Sequence, residues 1–302
     1  MICEKIQLWE DNEHGFIETY ISKNSEEIKY DKKRPTVIIC PGGAFLATTD
    51  REAEPVAMRF VAQGYNAIVL RYNTYFGKKV MDRKNPPKAN DKSAYPQPLF
   101  DIAKAMLIIR ENAENWLVDN DKIVLCGFSA GGNVVANMGV HWQDDLLKEK
   151  FNVDSELFKA TAIIIGYGVT DHMAMKKGAS FNNEGAKKFA EIANKAAFGK
   201  EYPSDEELMN ASPVTYVSEK VPPTFIWHTA DDPSVYVTNS LNYASMLSKH
   251  KVPYELHIFE TGVHGLSLCD ETTAARNEDI NLGCKPWFDL AINWLKKHDI
   301  KL

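Results

Sequence analysis

Short apolar runs recur along the chain, and each ends in a turn signal. TVIIC (36–40) meets Pro-Gly-Gly, NAIVL (66–70) leads into a polar stretch, and KIVLC (122–126) stops at Gly127. ATAIII (160–165), TFIWH (224–228) and YELHIF (254–259) have the same form. Runs of this length, rich in Val and Ile and bounded by Gly, Pro or Asp, predict buried strands. Between them the period changes to that of a helix. Val56 and Phe60, and likewise Ala57 and Val61, are four apart, with Pro55 suited to the opening turn and Gly64 to the close. Leu99, Ile102, Met106 and Ile109 repeat at steps of 3, 4 and 3. Residues 131–141 predict a helix directly after the 122–126 strand. Leu241, Ala244 and Leu247 predict one face of a helix over 239–250, and Trp287, Leu290, Ala291, Trp294 and Leu295 predict a last one.

Strands that alternate with helices in this way predict an α/β fold, a mostly parallel sheet with helices on both faces. The pattern weakens from 166 to 213, where Phe189, Ile192 and Ala196 suggest a single helix. One domain over 1–302 with a small cap inserted at 168–213 is the simplest division. The polar stretch 73–98, which holds four prolines, is a second candidate lid.

Composition narrows the function classes. The chain has 302 residues, of which 44% are hydrophobic and 25% charged, the balance of a soluble globular protein. A net charge of -6 argues against a nucleic-acid partner. The five cysteines, Cys3, Cys40, Cys126, Cys269 and Cys284, form no C-x-x-C pair, so a zinc or redox motif is not expected. Cys40 and Cys126 end apolar runs and are expected to be buried thiols, and the cysteine usage fits a reducing compartment. The opening MICEKIQLWEDNEHG is charged by position 4 and has no apolar core of a signal peptide. No window approaches ~20 apolar residues, so no membrane partner is expected. A cytoplasmic location follows as an expectation; the sequence sets no oligomeric state.

The chemistry concentrates at CGFSAGGN (126–133), where Gly127, Ser129 and Gly131 form G-x-S-x-G. Read alone, this is also an ordinary tight turn. Its place between a predicted strand and a predicted helix is that of a nucleophile elbow. Serine needs a base, and the base needs an orienting acid. On this elbow the partners should follow in the order acid, then histidine, at the ends of later strands. TFIWHTADDPSV supplies Asp231 and Asp232, and YELHIFETGVHGL supplies His264. Asp232 fits the acid turn better, because it stands three before Val235, and Asp231 is left to cap the turn. The oxyanion donors would be the N–H of Ala130 and, from CPGGAF, that of Gly43 or Ala44. No cofactor or metal is called for; no H-E-x-x-H pair exists among the eight histidines. Asp50, Arg51, Glu52 and Glu54 lie just beyond the oxyanion loop. They read either as partners for substrate hydroxyls or as a solvated charged turn. Tyr75, Phe76, Tyr167 and Trp227 are candidates for apolar walls, with core packing the preferred reading for Trp227. Arg51, Glu52 and Tyr167 are taken as the substrate contacts.

Together IICPGGAF, DREAEPVAMRF, VLRYN, YPQPLFD, VLCGFSAGGN, FIWHTADDPSV and YELHIFETGVHGLSL resemble the α/β-hydrolase-fold serine esterases of the acetyl-xylan-esterase-like group, often labelled xylanase or lipase/esterase. The resemblance runs from about Thr36 to Leu302. It implies an α/β-hydrolase fold and removal of acyl groups, often O-acetyl from xylose-based sugars, with Ser129 as nucleophile, His264 as base and Asp232 as acid. The implied partner is a small-molecule ester, an acetylated sugar, hydrolysed through an acyl-enzyme with no cofactor. Three positions depart from the pattern: Ala44 replaces a third Gly, Asn133 a common His, and Tyr236 a frequent Pro. Other short-chain carboxylesterases, an arylformamidase-type amidase and a non-catalytic module on the same fold are the competing readings. A prolyl-oligopeptidase-type peptidase is disfavoured, because the chain has no room for its gating domain.

Overall fold

The computed structural model describes residues 1–28, 31–77, 88–90, 92–178 and 184–302. In chain order its first elements are β1 (Lys5–Trp9), β2 (Asn12–Tyr20), β3 (Arg34–Cys40), α1 (Glu54–Ala62), β4 (Asn66–Arg71), α2 (Gln97–Glu111), β5 (Val118–Phe128) and α3 (Ala130–His141). There follow α4 (Asp145–Phe151), β6 (Ala162–Gly166), α5 (His172–Gly178), α6 (Glu184–Phe198), α7 (Asp205–Asn210), β7 (Thr224–Thr229), α8 (Thr238–Lys249), β8 (Tyr254–Phe259) and α9 (Trp287–Lys297).

The strands form one eight-stranded sheet in the order β1-β2-β4-β3-β5-β6-β7-β8. The pairs from β4 to β8 are parallel; β1 and β2 are antiparallel additions at the β4 edge. Successive strand residues point to opposite faces, and both faces are covered, which is why the runs are apolar throughout. Val37, Ile39, Val69, Val124, Cys126, Ile164, Phe225 and Trp227 pack with α1 and α9 on one side. Ile38, Ile68, Leu70, Leu125, Ile163, Ile165 and Ile226 pack with α2, α3 and α8 on the other. Each Val, Leu, Ile or Phe buried in this way contributes about 1.5–3 kcal/mol relative to exposure. Among the described residues no helix is long and apolar enough to cross a membrane.

Two helix faces differ from the sequence pattern. Leu241 is 45% exposed, and the inner face of α8 is Ser240, Tyr243, Ala244 and Leu247. Phe189 is 56% exposed; of the expected face α6 buries Ala196, together with Ala197. Among the described residues, the segment between β6 and β7 holds three helices and a 3₁₀ turn (Pro213–Tyr216) where one helix was expected. α7 is short and polar, so it lacks an apolar stripe; its signal is the capping box of Ser204 and Glu207. Of the stretch 73–98, residues 78–87 and 91 lie outside the described residues, as do 179–183 of the second candidate lid.

What positions the site is the reversal of strand order at β3. β4 and β5 lie on either side of β3, so chains leaving the carboxyl ends of β3 and β5 emerge side by side. Cys40 pairs with Gly127, which brings the 41–49 loop next to the start of α3. β7 and β8 are neighbours further along the same edge, with Thr229 paired to Phe259.

Candidate active site

Ser129 stands between β5 and α3 at φ 52° and ψ -119°. A residue with a Cβ held at positive φ is strained by about 1–3 kcal/mol. The surrounding glycines permit the turn. A Cβ on Gly131 would lie 1.9 Å from the Cys40 carbonyl oxygen, and one on Gly127 would lie 2.2 Å from that of Gly131. The Ser129 N–H is tied to the Gly166 carbonyl at 3.0 Å, and its carbonyl accepts from Asn133 and Val169.

The structure brings Ser129, His264 and Asp232 into one line. Ser129 Oγ is 2.8 Å from His264 Nε2, and His264 Nδ1 is 2.7 Å from Asp232 Oδ2. With the Nδ1 proton directed at the carboxylate, Nε2 is left to accept from the Ser129 hydroxyl. Asp232 Oδ1 accepts from the backbone N–H groups of Ser234 and Val235 at 2.8 and 3.0 Å. Burial pushes the Asp232 carboxyl up, but hydrogen bonds from His228 and His264, with the Val235 N–H, outweigh it and hold the carboxyl well below the usual carboxylate range. Asp231 is placed elsewhere: its Oδ1 accepts from the Gly262 N–H at 2.8 Å, tying the acid turn to the histidine loop.

His228 belongs to this constellation and was not singled out from the sequence. It is fully buried at the end of β7, with Nε2 2.9 Å from the Val235 carbonyl and 3.3 Å from Asp232 Oδ2. Its Nδ1 meets Ser240 Oγ at 2.8 Å. The available signal was a histidine inside the otherwise apolar strand, since a buried imidazole needs partners for both nitrogens.

The 41–49 loop lies against the serine. A Cβ on Gly42 would stand 2.7 Å from Ser129 Cβ. Gly43, Ala44 and Phe45 all have positive φ, and the Gly43 carbonyl accepts from Leu46 and Ala47. The N–H groups of Gly43 and Ala44 have no acceptor among the described residues. The Ala130 N–H opens α3, where no carbonyl four residues back lies within the helix. The loop that lies against the serine and the first turn of the helix that follows it thus hold backbone N–H groups free of acceptors among the described residues.

The three expected substrate contacts are placed differently from one another. Glu52 is 2% exposed, and its carboxylate is occupied by the Gly42 N–H, the Thr49 hydroxyl and the Tyr167 hydroxyl. Tyr167 is 2% exposed as well, its ring packed edge-on to His264 with centroids 5.1 Å apart. Neither offers a polar group to an incoming molecule, so the expectation is corrected for both: they lie behind the site. Arg51 is partly exposed, lies close against Gly265 and pairs with Asp279 at 3.5 Å. It lines an open cleft of about 270 Å³ with Glu18, Tyr20, Asp50, Glu54 and Arg71. The two other departures from the pattern are accommodated. Asn133 Nδ2 donates to the Val169 and Ala211 carbonyls, and the Tyr236 ring rests on Gly178. Trp227 is fully buried in the core.

The strand order and the hydroxyl, imidazole and carboxylate aligned at its carboxyl edge define a protein of the α/β-hydrolase fold. Residues 20–247 match the BD-FAE family model, and the chain belongs to that family. A carboxylesterase from Lactobacillus plantarum superposes with a TM-score of 0.80 at 29% identity, covering 100% of this chain and 99% of that one. An acetyl ester-xyloside bifunctional hydrolase from Caldicellulosiruptor lactoaceticus superposes at 0.75 and 28% identity, covering 99% and 97%. In sequence, endo-1,4-beta-xylanase B of Butyrivibrio fibrisolvens is 30% identical over 87% of this chain, and an esterase of Mycobacterium tuberculosis is 27% identical over 72%. The chain spans only 38% and 46% of the length of those two relatives.

Proposed function

We propose that the protein is a serine-dependent carboxylic ester hydrolase that removes acetyl groups from sugars or xylo-oligosaccharides. The observation that carries the reading is the line from Ser129 Oγ through His264 to Asp232, at 2.8 and 2.7 Å. In the first step Ser129 attacks the ester carbonyl, and its proton passes to His264 Nε2. Asp232 holds the imidazole by Nδ1 and offsets the charge it gains. The oxyanion sits on the N–H of Ala130 and that of Gly43 or Ala44. His264 returns the proton to the leaving alcohol. Water, deprotonated by His264, then attacks the acyl-Ser129 ester; the C–Oγ bond breaks, His264 returns the proton to Ser129 Oγ, and acetate is released.

The acetyl-sugar assignment draws on the names of the relatives, one an acetyl ester-xyloside hydrolase and another a xylanase. Segment 168–213 is proposed as a cap. Both its ends are tied to α3 one turn beyond Ser129, through the Val169 and Ala211 carbonyls that accept from Asn133. Other short-chain esters are the second reading, supported by the carboxylesterase among the structural neighbours.

The test is acetate release from p-nitrophenyl acetate by the wild type and Ser129→Ala. The variant should lose activity by roughly 10⁴-fold or more; equal rates would end the proposal. A panel of acetylated xylo-oligosaccharides, aryl esters and formylkynurenine, ranked by kcat/KM, then separates the substrate classes. A preference for formylkynurenine would replace the acetyl-sugar assignment with an amidase.

A further inference from the structure

Glu52 and Tyr167 connect the two loops that meet at Ser129. Glu52 Oε2 accepts from the Gly42 N–H at 2.7 Å and from the Thr49 hydroxyl at 2.6 Å. Thr49 closes the same loop through its own N–H to the Gly42 carbonyl, at 2.9 Å. Glu52 Oε1 accepts from the Tyr167 hydroxyl at 2.7 Å, and that hydroxyl accepts in turn from the Ser267 N–H at 2.9 Å. Ser267 is three residues past His264, and its own hydroxyl donates to the Arg51 carbonyl at 2.6 Å. The path runs from the 41–49 loop, through a buried carboxylate and a buried phenol, to the histidine loop. It passes close to the reacting groups: a Cβ on Gly42 would meet both Ser129 Cβ and Glu52 Oε2, and the Tyr167 ring lies against the imidazole.

Chemistry explains why these residue types are suited to the place. Glu52 receives three donors and donates to none, which is what a carboxylate can do and an amide cannot. Burial and the neighbouring Glu52 raise the Tyr167 hydroxyl well above the usual phenol range, so it stays protonated and can donate. A buried carboxylate is costly to keep unless its oxygens are satisfied, so each donor is held firmly. The 41–49 loop, with three consecutive residues at positive φ, needs such a hold.

We infer that Glu52 and Tyr167 are positioning residues for the esterase reaction, bracing the Gly43–Ala44 donors against the His264 loop. This rests on the reading of Ser129 as the nucleophile. The brace acts through the oxyanion donors, which bear more on the transition state than on the bound ester, so kcat should fall more than KM rises. A donor displaced by about 1 Å costs roughly 10²-fold in rate, and loss of one oxyanion donor costs roughly 10²–10³-fold.

The test uses Glu52→Gln, Tyr167→Phe, their double variant and Ser129→Ala, each with its melting temperature. kcat and KM for p-nitrophenyl acetate are measured, with inhibition by an alkyl trifluoromethyl ketone, whose serine adduct carries the oxyanion. Glu52→Gln should lower kcat about 10–100-fold with KM within about threefold, and weaken the ketone by a similar factor. Tyr167→Phe keeps the ring and removes one link, so its loss should be smaller, about 3–10-fold. The double variant should resemble Glu52→Gln, because both act through one path. Folded single variants with kcat within twofold of wild type would overturn the inference, as would losses confined to KM or fully additive losses. Where Glu52→Gln does not fold, Tyr167→Phe alone decides by the same kcat and ketone criteria. A fully active Ser129→Ala would instead remove the esterase reading itself, so the two failures are distinguishable.

Discussion

At the scale of residues, Ser129 and Asp232 illustrate opposite uses of a constrained position. Ser129 is held in a strained backbone conformation that aims its hydroxyl outward. Asp232 is the reverse, a carboxylate relaxed into four contacts: two backbone N–H groups and two imidazoles. Its neighbour Asp231 accepts from the Gly262 N–H and, among the described residues, bonds to no imidazole. Asp232→Asn should therefore lower kcat by roughly 10⁴-fold, the scale seen when a triad acid loses control of the histidine tautomer. Asp231→Asn should cost less than about tenfold. A larger loss at 231, measured with the same aryl ester, would reverse the assignment. The depressed Asp232 carboxyl also makes a prediction for stability. A group whose folded value is lowered stabilises fully above its unfolded value of about 3.9 and loses that contribution as pH falls towards the folded value. The gap in unfolding free energy between wild type and Asp232→Asn should be flat above about pH 5 and narrow below about pH 4. Urea titrations across that range check it, and a gap unchanged at pH 3 would contradict the hydrogen-bonded carboxylate. The grouping of Ser129, Asp232 and His264 was legible because apolar strands punctuate the sequence and each residue follows one. Glu52 was not, since its partners lie 3, 10 and 115 residues away and are chosen by how loops fold back.

At the scale of elements, two of the three glycines of α3, Gly131 and Gly139, do different work. On Gly131 a Cβ would strike main-chain atoms of Cys40 and Pro41, at 1.9 and 2.6 Å, which cannot move without shifting the 41–49 loop. On Gly139 the nearest atom, at 2.3 Å, is the terminal Cδ1 of Ile163, which has other rotamers. Alanine also favours a helix over glycine by about 1 kcal/mol. Gly131→Ala should cost about 3 kcal/mol or more and depress kcat sharply, whereas Gly139→Ala should stay within about 1 kcal/mol with near-normal kcat. Denaturant unfolding and steady-state rates of the pair test this, and equal effects would refute the packing argument. Helix faces were less legible than strands. In α8 the periodic reading chose Leu241, whereas Tyr243 fills the interface and Leu241 points out. Three apolar residues at helical spacing define a stripe, but neighbouring Tyr and Ser shift its centre by one position, and only the packed sheet decides where the stripe faces.

At the scale of the whole molecule, the edge of the sheet is where sequence pattern was least informative and the structure adds most. β1 and β2 escaped the apolar-run criterion because β2 alternates, burying Gly15, Ile17 and Thr19 while Phe16, Glu18 and Tyr20 are half-buried. The hairpin lies across the β4 edge, which would otherwise present unpaired backbone groups beside the core. It also reaches inward at one point: Trp9 Nε1 donates to Asp101 Oδ1 at 2.7 Å. Asp101 is fully buried on α2, and its other donors are the Asn73 N–H, the Asn73 side chain and Gln97. Burial raises its carboxyl despite these bonds, so each donor matters to the pair of elements it joins. Trp9→Phe keeps an aromatic ring against Phe151 and removes the N–H, and should destabilise by about 1–3 kcal/mol. Removing residues 1–22 altogether should do far more. It uncovers β4 and strips Ile17 and Ile21 from the core, so the truncated chain should melt well below the full one and aggregate on heating. Thermal melts with light scattering would show this. A truncated chain with unchanged melting temperature and esterase activity would mean that β3 to α9 suffice, and that the hairpin only decorates a sheet already closed at β4.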